Sequence, residues 1–255
     1  MWHLARVHST RPILPAQRRR LPRTVWVLVL VGAVAFGVGL PAWTEAADAA
    51  RYPVTAEDLA AGRAALDTLA VKGRAPRTGY DRDEFGTAWA DVDHNGCDTR
   101  NDILRRDLTD LTFKPGTRDC VVLTGTLADP YGGEVIEFER GPGSSEVQID
   151  HVVALNDAWQ KGARQWTPEV REAFANDPAN LLAVDGPLNQ QKGAGDAATW
   201  LPPRSGYRCV YVLRQIRVKA AYGLWVTAAE HDAMDRQLDR CRVAPAAGTT
   251  LTPGS

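Results

Sequence analysis

The run Ile149-Asp-His-Val-Val-Ala-Leu155 constrains this chain more than any other segment. Aliphatic and β-branched residues surround one Asp-His pair, as in a buried strand whose only ionisable groups sit together. Neighbouring side chains of a regular strand face opposite ways, so Asp150 and His151 reach one site only where the strand ends or bends. A second apolar segment, Asn180-Leu-Leu-Ala-Val184, follows. Asp185-Gly-Pro187 then opens a helix carrying Asn189 and Lys192, stopped by Gly193 and Gly195. Three residues apart on a helix, Asn189 and Lys192 share a face.

The surrounding pattern predicts an α+β domain. Val121–Leu127 reads as a strand, Asp129-Pro-Tyr-Gly-Gly133 as a turn, and Glu134–Glu139 as an alternating, half-buried strand, together an additional β-hairpin. Residues 141–145 form a Gly/Ser loop before the strand Val147–Leu155. Helices are predicted after Thr55-Ala-Glu-Asp58, with Leu59, Ala65, Leu66 and Leu69 at helical spacing, and from Thr167-Pro-Glu169 to Asp177-Pro178. Two more are predicted, over Cys209–Tyr222 and from Thr227-Ala-Ala-Glu230 to Cys241.

Arg18, Arg19, Arg20 and Arg23 precede the uncharged stretch Val25–Leu40, and Ala47-Asp-Ala49 matches a small-residue cleavage pattern. Residues 1–49 therefore read as a secretory signal, with a retained anchor facing outside as the alternative; the apolar stretch is shorter than the roughly 20 residues a span requires. Residues 50–80 read as a helix and linker, 81–243 as the main domain, and 244–255 as a disordered tail. The whole chain holds 30 basic and 31 acidic residues; without residues 1–49 it loses six arginines and two acids, leaving a net charge of −5. That balance excludes a protein that coats nucleic acid by overall charge. Phosphate binding would need a local basic surface and a cation.

Cys97, Cys120, Cys209 and Cys241 all follow the signal, an even count suited to two disulfides in an oxidising compartment. Three connectivities are possible, and sequence proximity favours Cys97–Cys120 and Cys209–Cys241. The wide spacings, without a C-x-x-C pair, argue against zinc.

Chemically, Asp150, Asn180 and Asn189 offer an all-oxygen set suited to Mg²⁺ or Mn²⁺. His151 suits a general base on water, and Lys192 a charge on a phosphate oxygen. Each alone has a bland reading: a structural Asp-His, an Asn capping a turn, a solvated helix face. Their order makes coincidence unconvincing. Arg100 and Arg105 are further phosphate-binding candidates.

These segments resemble the HNH, or ββα-metal finger, endonucleases, and are most similar to a secreted bacterial branch related to the C-terminal domain of GmrSD-type restriction enzymes. The resemblance rests on Ile149–Leu155, Asp157-Ala-Trp159, Gly162-Ala163, Trp166, Phe174-Ala-Asn-Asp177, Asn180–Val184, Asn189-Gln-Gln-Lys-Gly193 and Trp200-Leu-Pro-Pro203, and upstream on Phe85-Gly86, Trp89 and Asp91–Arg100. It implies a ββα-metal core, His151 as base, Asp150 as metal ligand, Asn180 as the middle letter of the motif and Asn189 as the third. Histidine is frequent at that third position, so this is an H-N-N variant. Nucleic acid, DNA ahead of RNA, would be the substrate, cleaved to a 5′-phosphate and a 3′-hydroxyl. The protein partners are not legible.

Asp91, Asp93, Asn95 and Asp102 match the spacing of a calcium loop, with Asx turns as the plainer explanation. A calcium-stabilised extracellular binding domain without catalysis is the rival to the nuclease.

Overall fold

The computed structural model describes residues 51–244. The expected signal and, beyond Ala244, the expected tail lie outside the described residues. Among these residues no helix is long and apolar enough to cross a membrane.

The architecture is mixed α+β with two antiparallel sheets. Helix α1 (Ala56–Thr68) is capped by Thr55, whose side chain accepts from Asp58 N–H. Helix α2 (Thr99–Asp107) leads into β1 (Leu108–Phe113), which pairs with β2 (Val122–Ala128), which pairs with β3 (Val135–Glu139). The anticipated hairpin is thus a three-stranded sheet. β1 escapes a sequence reading because Asp110, at φ 51°, and register shifts between Thr109 and Phe113 break its alternation.

The second sheet pairs β4 (Val147–His151) with β5 (Leu181–Asp185), Asp150 lying opposite Leu182. Val147, Ile149, Leu181 and Ala183 pack with Ile103, Leu104, Val122 and Phe138, while Val152, Leu182 and Val184 pack with Tyr131, Tyr211 and Ile216. Apolar cover on both faces explains why these strands read as continuous hydrophobic runs. β4 was expected to continue to Leu155 but stops at His151, where Asn180 takes over its hydrogen bonds.

Between β4 and β5 lie helices α3 (Leu155–Gln160) and α4 (Pro168–Asn176), held by a third cluster of Phe85, Val153, Leu155, Trp159 and Phe174. β5 runs straight into α5 (Gly186–Lys192), so the central unit is strand, antiparallel strand, helix. Helices α6 (Arg208–Ala221) and α7 (Ala228–Leu238) close the fold against α1.

Both proximity-favoured disulfides form, Cys97–Cys120 and Cys209–Cys241. The second staples the start of α6 to the chain beyond α7. The double variant C209S/C241S, opening a cross-link between residues 32 apart, is expected to lose about 3–4 kcal/mol in urea unfolding, from loop-closure entropy. A loss below about 1 kcal/mol would show that packing alone holds these helices.

Candidate active site

Asn180 organises the site. Its side chain is fully buried; Oδ1 accepts from Val153 N–H at 2.8 Å, and Nδ2 donates to the Val153 carbonyl at 3.2 Å. Val152 N–H meanwhile donates to the Asn180 carbonyl. The amide thereby imitates one more strand residue for two backbone groups that would otherwise be buried without partners. The strand bends here, which lets Asp150 and His151 line one cleft despite being neighbours.

Asp150 is 4% exposed. Its Oδ2 accepts from the Tyr131 hydroxyl at 2.5 Å, and its Oδ1 from the Lys192 ammonium at 2.8 Å. Lys192 also donates to the His151 carbonyl at 2.8 Å. Helix α5 makes this possible: Asp185 caps it through Leu188 N–H, and two turns later Lys192 lies beside β4.

His151 is 7% exposed. Its Nε2 lies 2.8 Å from the Ala175 carbonyl. A carbonyl only accepts, so Nε2 carries the hydrogen and Nδ1 keeps its lone pair. Trp89 stacks on the ring, centroids 6.2 Å apart and planes 19° from parallel. Burial lowers the imidazole's pKa to about 3, against the Ala175 hydrogen bond; Arg82 and Lys192 add to the lowering. The ring is therefore neutral at physiological pH.

A cleft of about 290 Å³ is lined by Asp150, His151, Asn156, Asn189, Arg77 and Arg82. Asn189 Nδ2 donates to Gln148 Oε1 at 2.9 Å; among the described residues no donor reaches its Oδ1.

Asp150, His151 and Asn189 thus come together, whereas other expected site residues have different uses. Asn180 engages both ends of its amide with the Val153 backbone. Lys192 is buried in the pair with Asp150 and does not line the cleft. Arg100 packs over the Phe138 ring and Arg105 over Phe113, neither lining the cleft. In the acidic loop, Asp91 and Asp93 accept from Asn95 N–H, and Asn95 Nδ2 donates to both Asp93 and Asp102. The Asp93 contact to Asn95 N–H is that of an Asx turn. Among the described residues no three carboxylate, imidazole or thiolate groups are grouped to hold a metal ion. Sequence reading missed Arg77, Tyr80 and Arg82 at the cleft. The basic–aromatic run Arg77-Thr-Gly-Tyr-Asp-Arg82 was the available signal, but it lies 69 residues before His151 at its nearer end.

A family model described as the C-terminal domain of GmrSD restriction endonucleases matches residues 98–237. The chain is also 38% identical over 178 residues to an uncharacterized secreted protein of the fungus Arthroderma benhamiae, covering 69% of this chain and 82% of that protein. No solved structure matches. This chain belongs to the family of the GmrSD restriction endonuclease C-terminal domain. Membership points to a nuclease-type function.

Two outcomes check the site's construction. Asn180→Ala leaves two backbone groups of Val153 buried without partners and is expected to cost about 2–4 kcal/mol in chemical unfolding; a metal ligand without this structural duty would cost little in metal-free buffer. For His151, the folded pKa of about 3 lies below the ordinary 6.5. Between these values the unfolded chain binds a proton that the folded chain refuses, so this group removes stability as pH falls from 6.5 toward 3, by up to about 1.4 kcal/mol per pH unit. His151→Gln is expected to flatten that dependence; an unchanged slope would place the acid sensitivity elsewhere.

Proposed function

We propose that the protein is an exported, metal-dependent endonuclease of the ββα-metal type, in which His151 activates water against a nucleic-acid phosphodiester. The observation that carries this reading is the neutral imidazole, anchored through Nε2–H and keeping Nδ1 free to accept, beside a polar cleft lined by Asp150 and Asn189. The order β4–β5–α5 around those residues supports the ββα assignment. The disulfides, the basic and apolar N-terminus and the secreted relative support export.

The residues fit one hard divalent cation such as Mg²⁺ or Mn²⁺. A carboxylate has about four lone-pair positions, of which Tyr131 and Lys192 use two, and Asn189 Oδ1 is free among the described residues. Such an ion keeps several waters and needs only one or two protein ligands beside a phosphate. Asp150 and Asn189 would hold it, and when bound it would supply positive charge at the scissile phosphate and leaving oxygen. His151 takes the water's proton at Nδ1. Ala175 and Trp89 hold the ring in place, and Lys192 with Tyr131 keeps the Asp150 carboxylate aimed. DNA is the favoured substrate over RNA, with a 5′-phosphate product.

Purified protein incubated with plasmid DNA and Mg²⁺ or Mn²⁺ is expected to cut in a chelator-sensitive way, and His151→Ala to cut at least about a hundredfold more slowly. Undiminished cutting by that variant removes His151 from the chemistry. A calcium-dependent melting shift without any cutting would instead favour a binding domain.

A further inference from the structure

Resting on the nuclease reading, we infer that Arg77 and Arg82 form a preformed phosphate-binding rim that grips the substrate backbone on either side of the scissile bond. Both lie before the stretch matched by the family model, and both line the cleft with Asp150 and His151. Arg82 also lines a smaller cavity of about 70 Å³ together with His151, Trp89 and Asp83, so it borders His151 in both cavities.

Charge accounting favours an anion here. Lys192 pairs with Asp150 from behind the cleft. That leaves the two guanidiniums as the unpaired charges lining the larger cleft among the described residues, in a chain whose residues 50–255 carry a net charge of −5. Neither arginine forms an ion pair among the described residues; Arg77 lies over the Tyr80 ring at 5.4 Å. Arginines held for stability are normally paired, as Arg171 is with Glu84 and Arg74 with Asp157 and Asp196. The acid between them in sequence, Asp81, is occupied in capping the turn Arg82–Phe85 through Asp83 N–H.

The segment bearing them is rigid. Ala75 N–H donates to the Gln160 carbonyl and Trp159 Nε1 to the Thr78 carbonyl, fastening it to α3. Arg171 Nε donates to the Glu84 carbonyl at 2.6 Å, and Phe85 is buried against Phe174, fastening it to α4. At Gly86, φ is 74° and a Cβ would meet the Glu172 side chain at 2.8 Å, so the turn is tightly packed as well as left-handed. Two unpaired guanidiniums on a fixed loop are pre-organised for phosphates, with less side-chain and loop freedom to lose on binding.

The test separates binding from cutting. Labelled DNA duplex, single-stranded DNA and RNA of the same sequence are titrated, with chelator present, against wild type, R77A/R82A, R77K/R82K and a control, R63A/R217A. The control removes the same charge from arginines paired elsewhere, Arg63 with Asp235 and Asp239, and Arg217 with Asp58. R77A/R82A is expected to weaken binding at least about tenfold and to lower the slope of log affinity against log salt by about two. The lysine pair is expected to recover most of the slope and the control to stay within about twofold of wild type. An unchanged slope in R77A/R82A, or an equal loss in the control, overturns the rim whatever the cleavage result. Wild type that binds through these arginines but fails to cut when Mg²⁺ or Mn²⁺ is supplied overturns the nuclease reading and leaves the rim standing.

Discussion

The ammonium of Lys192 sits where the whole site is joined. It binds the Asp150 carboxylate and the His151 carbonyl at 2.8 Å each, so a single group on α5 fixes both the carboxylate and the backbone at the end of β4. A buried ion pair adds little net stability, because desolvating two charges offsets much of their attraction. Its effect is on geometry. The carboxylate is aimed between Tyr131 and Lys192, and α5 is set in register with β4, which brings Asn189 to the same cleft. Truncating Lys192 would leave a buried carboxylate with one neutral donor, a change whose usual cost is about 3–5 kcal/mol.

A second buried charge network braces the walls around that pair. Lys161 contacts Asp157, Asp196 and Glu230 at 2.6–2.8 Å, and Lys219 contacts Asp157 and Glu230 at 2.9 Å. Arg74 adds contacts to Asp157 and Asp196 from the linker. Three acids and three bases thereby fasten α3, the loop after α5, α6, α7 and the segment leading to Arg77. Burial raises the Asp157 pKa, but Lys219 and Lys161 outweigh it and hold it at about 2. Against burial, the Lys161 hydrogen bond likewise lowers the Asp196 pKa and Asp157 raises that of Lys219; salt screens these pairs little because they are out of water.

Legibility followed the range of the interactions. Local signals carried: the Thr55 and Thr227 caps, Pro168 opening α4, and Asp185 before α5 all depend on contacts within one turn. The apolar runs of β4 and β5 were legible because both faces are covered. β1 was not, since its bulge destroys the period on which the reading depends. At the site, the convergence of Asp150, His151 and Asn189 could be proposed from motif order. The separate duties of Asn180 and Lys192 could not, because an amide or ammonium reads the same in sequence whether it meets a ligand or a backbone carbonyl. Arg77 and Arg82 belong to the same class, being brought to His151 only by the packing of Phe85 and Trp159.

That redistribution of roles resolves an electrostatic conflict in the proposed chemistry. A carboxylate able to hold a cation also repels the phosphate that the cation must meet. At about 4 Å, two unit charges interact by about 1 kcal/mol in water and by about 4 kcal/mol at the effective dielectric of a protein surface. An unpaired Asp150 would therefore oppose each phosphate oxygen entering the cleft. Lys192 cancels that charge from behind, on the buried side, without occupying the cleft. A lysine reaching forward to phosphate, as its place on the helix first suggested, would leave Asp150 uncompensated; facing inward, it lets the carboxylate, the neutral imidazole and the arginine-bearing rim share one small volume with a polyanion.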